Sequence, residues 1–138
     1  DNLVKIEQLK LEPYNEMEFR GLVSTASDRL SDARNETLSP TSRFDLAYNA
    51  AHSLALAALR YGGYRPAKRF TVFQALEHTV HFDAAEWRVL DKCHGNRNRM
   101  EYEGESDVDM RLLPELLKYA SKLEATVLEL PLPPPART

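Results

Sequence analysis

The residues best suited to chemistry lie together in the segment Arg97-Asn98-Arg99-Met100-Glu101-Tyr102. A guanidinium is a planar fork of donors that grips a phosphate or carboxylate bidentately. Asn98 and Tyr102 are one helical turn apart and share a face, which places an amide and a phenol beside that fork. His94 precedes Arg97 by about one turn and reads either as a substitute base from the other side or, preferably, as a helix-interior histidine hydrogen-bonded locally. The segment continues an apolar stripe of Trp87, Leu90 and Cys93 that would otherwise be buried. An unpaired charge on a buried stripe is very costly, so Arg97 must meet an anion or several acceptors. Such breaks in the folding pattern tend to mark function. The same residue types also build arginine networks that only fix helix packing or a dimer interface, and residue type alone leaves both readings open.

Other clusters are weighed in the same way. The run from Arg60 to Arg69 carries Arg60, Arg65, Lys68 and Arg69 with Tyr61 and Tyr64 and no acid. It suits phosphate contact and base stacking, and equally a solvated helix–loop junction with Arg60 near a helix C-terminus. The acidic stretch Glu101, Glu103, Glu105, Asp107 and Asp109 would repel RNA unless it faces elsewhere. His78 and His81 share a helical face with Gln74 and Glu77, opposite the apolar stripe, which reads as solvated surface and not as a metal site. His52 reads as a satisfied core histidine and Cys93 as a buried, inert thiol. The chain has no Gly-rich phosphate loop, no serine nucleophile motif and no zinc spacing, so no cofactor is expected.

The elements that must position these groups are helical almost throughout. Residues 1–12 read either as a short helix or, at Leu9-Lys10-Leu11, as a strand. A helix is predicted over 16–34, with Phe19, Leu22, Val23, Ala26, Leu30 and Ala33 on one face and Asn15 with Glu18 at its start. A second, Ala-rich and apolar on most sides, runs over 41–61 from Ser39-Pro40 to Gly62-Gly63. Further helices are predicted over 70–81, over 84–103 behind an Asp83/Glu86 cap, and over 108–130 from Ser106 or Asp107 to Pro131. Pro131 to Pro135 reads as an extended polyproline tail outside the core. The expected architecture is all-α, an antiparallel four- to five-helix up-and-down bundle over 15–130, after an N-terminal segment 1–14 and before a tail 131–138.

Size and composition agree. The chain has 138 residues, 43% hydrophobic and 28% charged, which suits one globular domain with one core. A net charge of −3 gives no global pull toward nucleic acid. A single cysteine excludes an internal disulfide framework, and no apolar run reaches the ~18 residues needed to span a membrane. The expected compartment is the cytoplasm.

The buried stretch Ser42-Arg-Phe-Asp-Leu-Ala-Tyr-Asn-Ala-Ala-His52, the turn Gly63-Tyr-Arg-Pro66 and the late Arg97-Asn-x-x-x-Tyr102 make the chain resemble the HEPN superfamily over roughly residues 15–130. The resemblance implies a helical bundle that pairs as a homodimer, with the late-helix motif of each copy facing a shared cleft. It implies no metal and no cofactor. In active members of that family an arginine with a polar neighbour holds the scissile phosphate, and a histidine just over one turn later assists attack by the ribose 2′-OH. Arg97 matches the arginine and Asn98 the polar neighbour, whereas Tyr102 stands where the histidine belongs. A phenol with a reference pKa near ~10 is a poor general base. The expected function is therefore a non-catalytic or weakly catalytic module that engages RNA, a nucleotide or a partner protein. Arg97, Tyr102 and His94 form its centre, and Asn98, Arg99, Arg65, Lys68 and Arg69 are expected to contact the ligand. The resemblance also implies a toxin–antitoxin or defence setting, with a minimal nucleotidyltransferase as partner. The alternatives are a metal-independent endoribonuclease using Arg97 with Tyr102 or His94, and a purely structural dimer module.

Overall fold

In the computed structural model, which describes residues 9–67, 71–102 and 110–135, the first long helix begins where the sequence places its cap. Helix α1 (Glu16–Ala33) starts at Asn15, whose side chain accepts the Glu18 backbone N–H at 2.9 Å. Phe19, Val23, Ala26, Leu30 and Ala33 recur at alternating three- and four-residue steps and are all buried. Helix α2 (Pro40–Tyr61) begins with Ser39 as cap and proline in its first turn. Ala47, Tyr48, Ala50, Ala51 and Leu54 are fully buried, so α2 is the central rod of the core. Its small side chains let α1 and the last helix, α6 (Leu112–Leu128), lie close along it.

Gly62 closes α2, and Gly63 turns the chain at a φ of 85°, a left-handed conformation that glycine adopts without steric cost. The chain then enters strand β2 (Tyr64–Pro66), which pairs antiparallel with β1 (Leu9–Leu11) in the register Leu9↔Pro66, Lys10↔Arg65, Leu11↔Tyr64. The ambiguous N-terminal segment is thus a strand at Leu9–Leu11, and the turn after α2 is its partner.

The helix predicted over 70–81 is two short pieces, α3 (Thr71–Gln74) and α4 (Leu76–Thr79). Thr71, Val72, Phe73, Thr79 and Val80 are weak helix formers, so local preference does not hold a longer helix together. Burial of Val72, Phe73, Leu76 and Phe82 sets the path instead, and His81 at a φ of 60° turns it toward the next helix. Helix α5 (Ala84–Tyr102) opens with a reciprocal capping box: Glu86 N–H donates to Asp83 at 2.9 Å and Asp83 N–H to Glu86 at 3.1 Å. Glu86 also pairs with Lys122 of α6. Helix α6 starts at Leu112, later than predicted; Ser106 and Asp107 lie outside the described residues. Leu113, Leu116, Ala120, Leu123 and Val127 form its buried face. After it, Leu130 packs on the core and Tyr61 donates to the Pro131 carbonyl at 2.6 Å.

One side chain ties the entry segment to this frame. Arg60, on the last turn of α2, is only 1% exposed. Its Nε donates to Glu18 at 2.7 Å, Nη1 to the carbonyls of Glu12 and Tyr64 at 2.9 and 3.0 Å, and Nη2 to the Pro13 carbonyl at 2.6 Å. Arg65 of β2 completes the cluster, donating to Glu12 and to Glu18, each at 2.7 Å. Two cations meet two carboxylates, and three backbone carbonyls that leave regular structure are satisfied. The Glu18 carboxylate is therefore spent on the arginines, while its N–H alone takes part in the α1 cap.

The Arg65 hydrogen bonds, with the Arg60 charge beside them, hold the Glu12 and Glu18 carboxyls below the ordinary glutamate value of 4.5. A carboxyl whose pKa is lower in the folded than the unfolded chain stabilises the fold above the unfolded value, and that stabilisation disappears as pH falls toward the folded value. The urea midpoint should therefore be level near neutrality and drop as the pH passes below 4.5, with Arg65→Ala flattening that drop. Arg60→Ala removes the donors of three carbonyls and one of the two arginine partners of the part-exposed Glu18 carboxylate, and equilibrium urea unfolding should register a loss of about 3–5 kcal/mol over these four contacts. A loss below ~1 kcal/mol would refute the tie assigned to Arg60.

Candidate functional site

At the other end of α2, one helix face presents Asp45, Tyr48, Asn49 and His52, at the three- and four-residue steps that align side chains. Helix α5 faces it with His94, Arg97 and Asn98. The Tyr48 hydroxyl lies 2.7 Å from His94 Nδ1, and Asn98 Nδ2 lies 3.2 Å from His94 Nε2. Both imidazole nitrogens are thus occupied. With the amide donating to Nε2, a neutral His94 donates from Nδ1 to the phenol oxygen. Turning the Asn98 amide over reverses the whole chain, so tautomer and amide orientation are coupled.

Arg97 sits above this chain. Its guanidinium carbon is 5.4 Å from the centre of the Tyr48 ring, a cation–π arrangement. Its Nε is 3.7 Å from Asp45 Oδ1, close enough for an ion pair and too far for a hydrogen bond. The Arg97 side chain is 11% exposed and that of Asp45 is 50% exposed. Asn49, one turn beyond Asp45, donates to its other oxygen at 3.3 Å. Tyr48 is wholly buried, and its ring packs at 6.0 Å against Phe73 and 6.2 Å against His52. The site is therefore layered. An aromatic floor lies beneath, the Arg97 cation rests on it, and a half-exposed carboxylate forms the rim.

Of the residues singled out by sequence, the structure brings Arg97, His94 and Asn98 together. Tyr102 ends α5 one turn past Asn98, and its side chain lies outside the described residues. Arg99 is exposed and donates to Asn96 Oδ1 at 3.1 Å. Arg65 is in the Glu12–Glu18 cluster with Arg60; from Asp45 to Arg60 along α2 is about 20 Å at the helical rise. Lys68 and Arg69 lie outside the described residues, as does the acidic stretch 103–109. Cys93 is buried between the two ends of α5, and burial pushes its thiol up to about 12, which keeps it protonated and unreactive.

Sequence reasoning missed Tyr48, Asp45 and Asn96 as parts of this region. Asn96, 1% exposed, follows Cys93 at helical spacing and was legible as a buried polar residue. Tyr48 and Asp45 carried a weaker signal, since a polar group in an Ala-rich helix announces burial but not its partner across the bundle. Among the described residues, no group of three or more His, Cys, Asp or Glu side chains could hold a metal ion. No protein-family model matches the chain, and no curated protein is significantly similar to it.

The hydroxyl–imidazole bond is a contact between helices far apart in sequence. Tyr48→Phe removes it and leaves a half-buried ring nitrogen without that partner. Thermal and urea unfolding should report a loss of about 1–3 kcal/mol, and the His94 ring resonances should shift. Unchanged resonances would mean that the bond does not form in solution.

Proposed function

We propose that this chain is a HEPN-like helical bundle that binds RNA or a nucleotide by a phosphate, through Arg97 on the α2–α5 face, without being an efficient nuclease. The observation that carries the reading is the division of labour between Arg97 and His94. The imidazole is engaged at both nitrogens by Tyr48 and Asn98. The guanidinium rests on an aromatic ring with a loose, half-exposed counter-ion. An arginine so held is oriented for an incoming anion, whereas an imidazole so held is poorly placed to accept a proton from substrate. Tyr102 in place of a histidine supports the same conclusion.

The predominantly helical architecture, with α2 flanked by α1 and α6, accords with a HEPN-like bundle. In that reading two copies pair so that each Arg97 faces a common cleft, and a minimal nucleotidyltransferase from a toxin–antitoxin or defence pair is the partner protein. No helix among the described residues is long and apolar enough to cross a membrane, which fits a module that meets its ligand in water. The second reading is a metal-independent endoribonuclease that uses Arg97 with Tyr102 or His94, the imidazole standing one helical turn before Arg97.

Binding of a mixed-sequence single-stranded RNA, read by fluorescence anisotropy in EDTA, separates the readings. Wild-type protein should bind at low salt and leave the RNA intact. Arg97→Ala should weaken binding by about tenfold, as expected for one charge-assisted phosphate contact of ~1.5 kcal/mol, and lower the salt slope by ~0.7. Equal binding by both proteins rejects the proposal, and RNA cleavage that depends on Arg97 establishes the nuclease reading instead.

A further inference from the structure

The rim of the Arg97 site carries a group that binding alone does not require. Asp45 places a carboxylate where a phosphate would approach Arg97, 3.7 Å from Nε, and half of its surface faces water. A structural ion pair has another form in this same protein. Arg65 holds Glu12 and Glu18 at 2.6–2.7 Å and Arg60 holds Glu18 at 2.7 Å, with Arg60–Glu12 at 3.5 Å and a buried guanidinium and carbonyls closing the cluster. Asp45 lies farther from its arginine, is more exposed, and accepts a 3.3 Å contact from Asn49.

We propose that Asp45 is a built-in competitor of the ligand, an internal anion that holds Arg97 in position and is displaced by the incoming phosphate. The inference rests on the reading of Arg97 as a phosphate-binding residue and adds its regulation. At this separation no hydrogen bond joins the two groups, and the Asp45 carboxylate is half in water, so its exchange for another anion costs little. The cation–π contact with Tyr48 keeps the guanidinium oriented while its counter-ion changes. The carboxylate also sets a threshold. A monoanion that cannot outcompete a tethered carboxylate is excluded, whereas a polyanion that adds phosphate contacts elsewhere is admitted. Nucleic acid is favoured over small carboxylates on this ground.

Four variants test it on the whole chain: Asp45→Asn, Arg97→Ala, the double variant, and Asp28→Asn as a control that removes one exposed acid from α1. Binding of the same single-stranded RNA is measured at low and moderate salt, with circular dichroism to verify that each variant is folded. Asp45→Ala stands in if the asparagine variant fails to fold. Asp45→Asn should bind RNA about three- to tenfold more tightly at low salt, as removal of one nearby like charge predicts. Asp28→Asn should show less than half of that gain in logarithmic terms, and the double variant should bind as weakly as Arg97→Ala. If Arg97→Ala weakens binding while Asp45→Asn leaves it unchanged or weaker, Asp45 positions the arginine and the competitor role is overturned. An equal gain from Asp28→Asn also overturns it, by reducing the effect to net charge. If Arg97→Ala leaves RNA binding unchanged, or no variant binds, the phosphate-binding reading itself falls, and this inference with it.

Discussion

The buried guanidinium of Arg60 is the constraint on which the placement of the other elements depends. Four chain segments meet at it: the extended entry at Glu12 and Pro13, the first turn of α1 at Glu18, the end of α2, and β2 at Tyr64. Such a crossing turns the carbonyls of Glu12, Pro13 and Tyr64 toward one buried guanidinium. A lysine offers a point charge and could not reach them all. The planar fork of arginine spreads its donors over a carboxylate and three carbonyls at once. A two-stranded sheet as short as β1–β2 is marginal by itself. Held by Arg60, it becomes a fixed end-cap on α1 and α2.

With that end fixed, α2 runs as a buried rod to the opposite end, where the second polar cluster lies. The two clusters use the same chemistry toward different ends. Near Arg60 two cations meet two carboxylates, most contacts are short and three carbonyls are filled. Near Arg97 the contacts include an aromatic ring and a distant, half-exposed carboxylate. Pairing distance and exposure, and not residue type, separate the two arginines.

Helix α5 shows why the second cluster can exist in a protein of this size. Its middle, at Leu90, Cys93 and Asn96, is buried, and its end emerges through His94 and Arg97. Core packing against α2 anchors the helix, and the polar side chains near its end are paired across to the tyrosine at α2. Tyr48 serves both parts. Its ring belongs to the core, with Phe73 and His52, and its hydroxyl serves the polar chain through His94.

The helices were largely legible because their signals are local. Asn15, Ser39 and Asp83 cap helices within a few residues, and the apolar spacing of α1, α2 and α6 names the faces that are buried. The stripe through Trp87, Leu90 and Cys93 likewise announced that Arg97 stands at the edge of the core. Where local preference is weak, as at Thr71–Val80, tertiary burial broke one predicted helix into two. The sequence by itself determined where the long helices lie, which of their faces turn inward and that an arginine follows an apolar stripe. Only the tertiary structure decided which arginines are spoken for. Arg60 and Arg65 lie in a basic run with no acid in sight, and their carboxylates arrive from Glu12 and Glu18, more than forty residues earlier. Asp45 and Tyr48 reach Arg97 and His94 in the same long-range way. Charge pairing and desolvation depend on distance in space, and spacing along the chain reports that distance only within a helix or a turn.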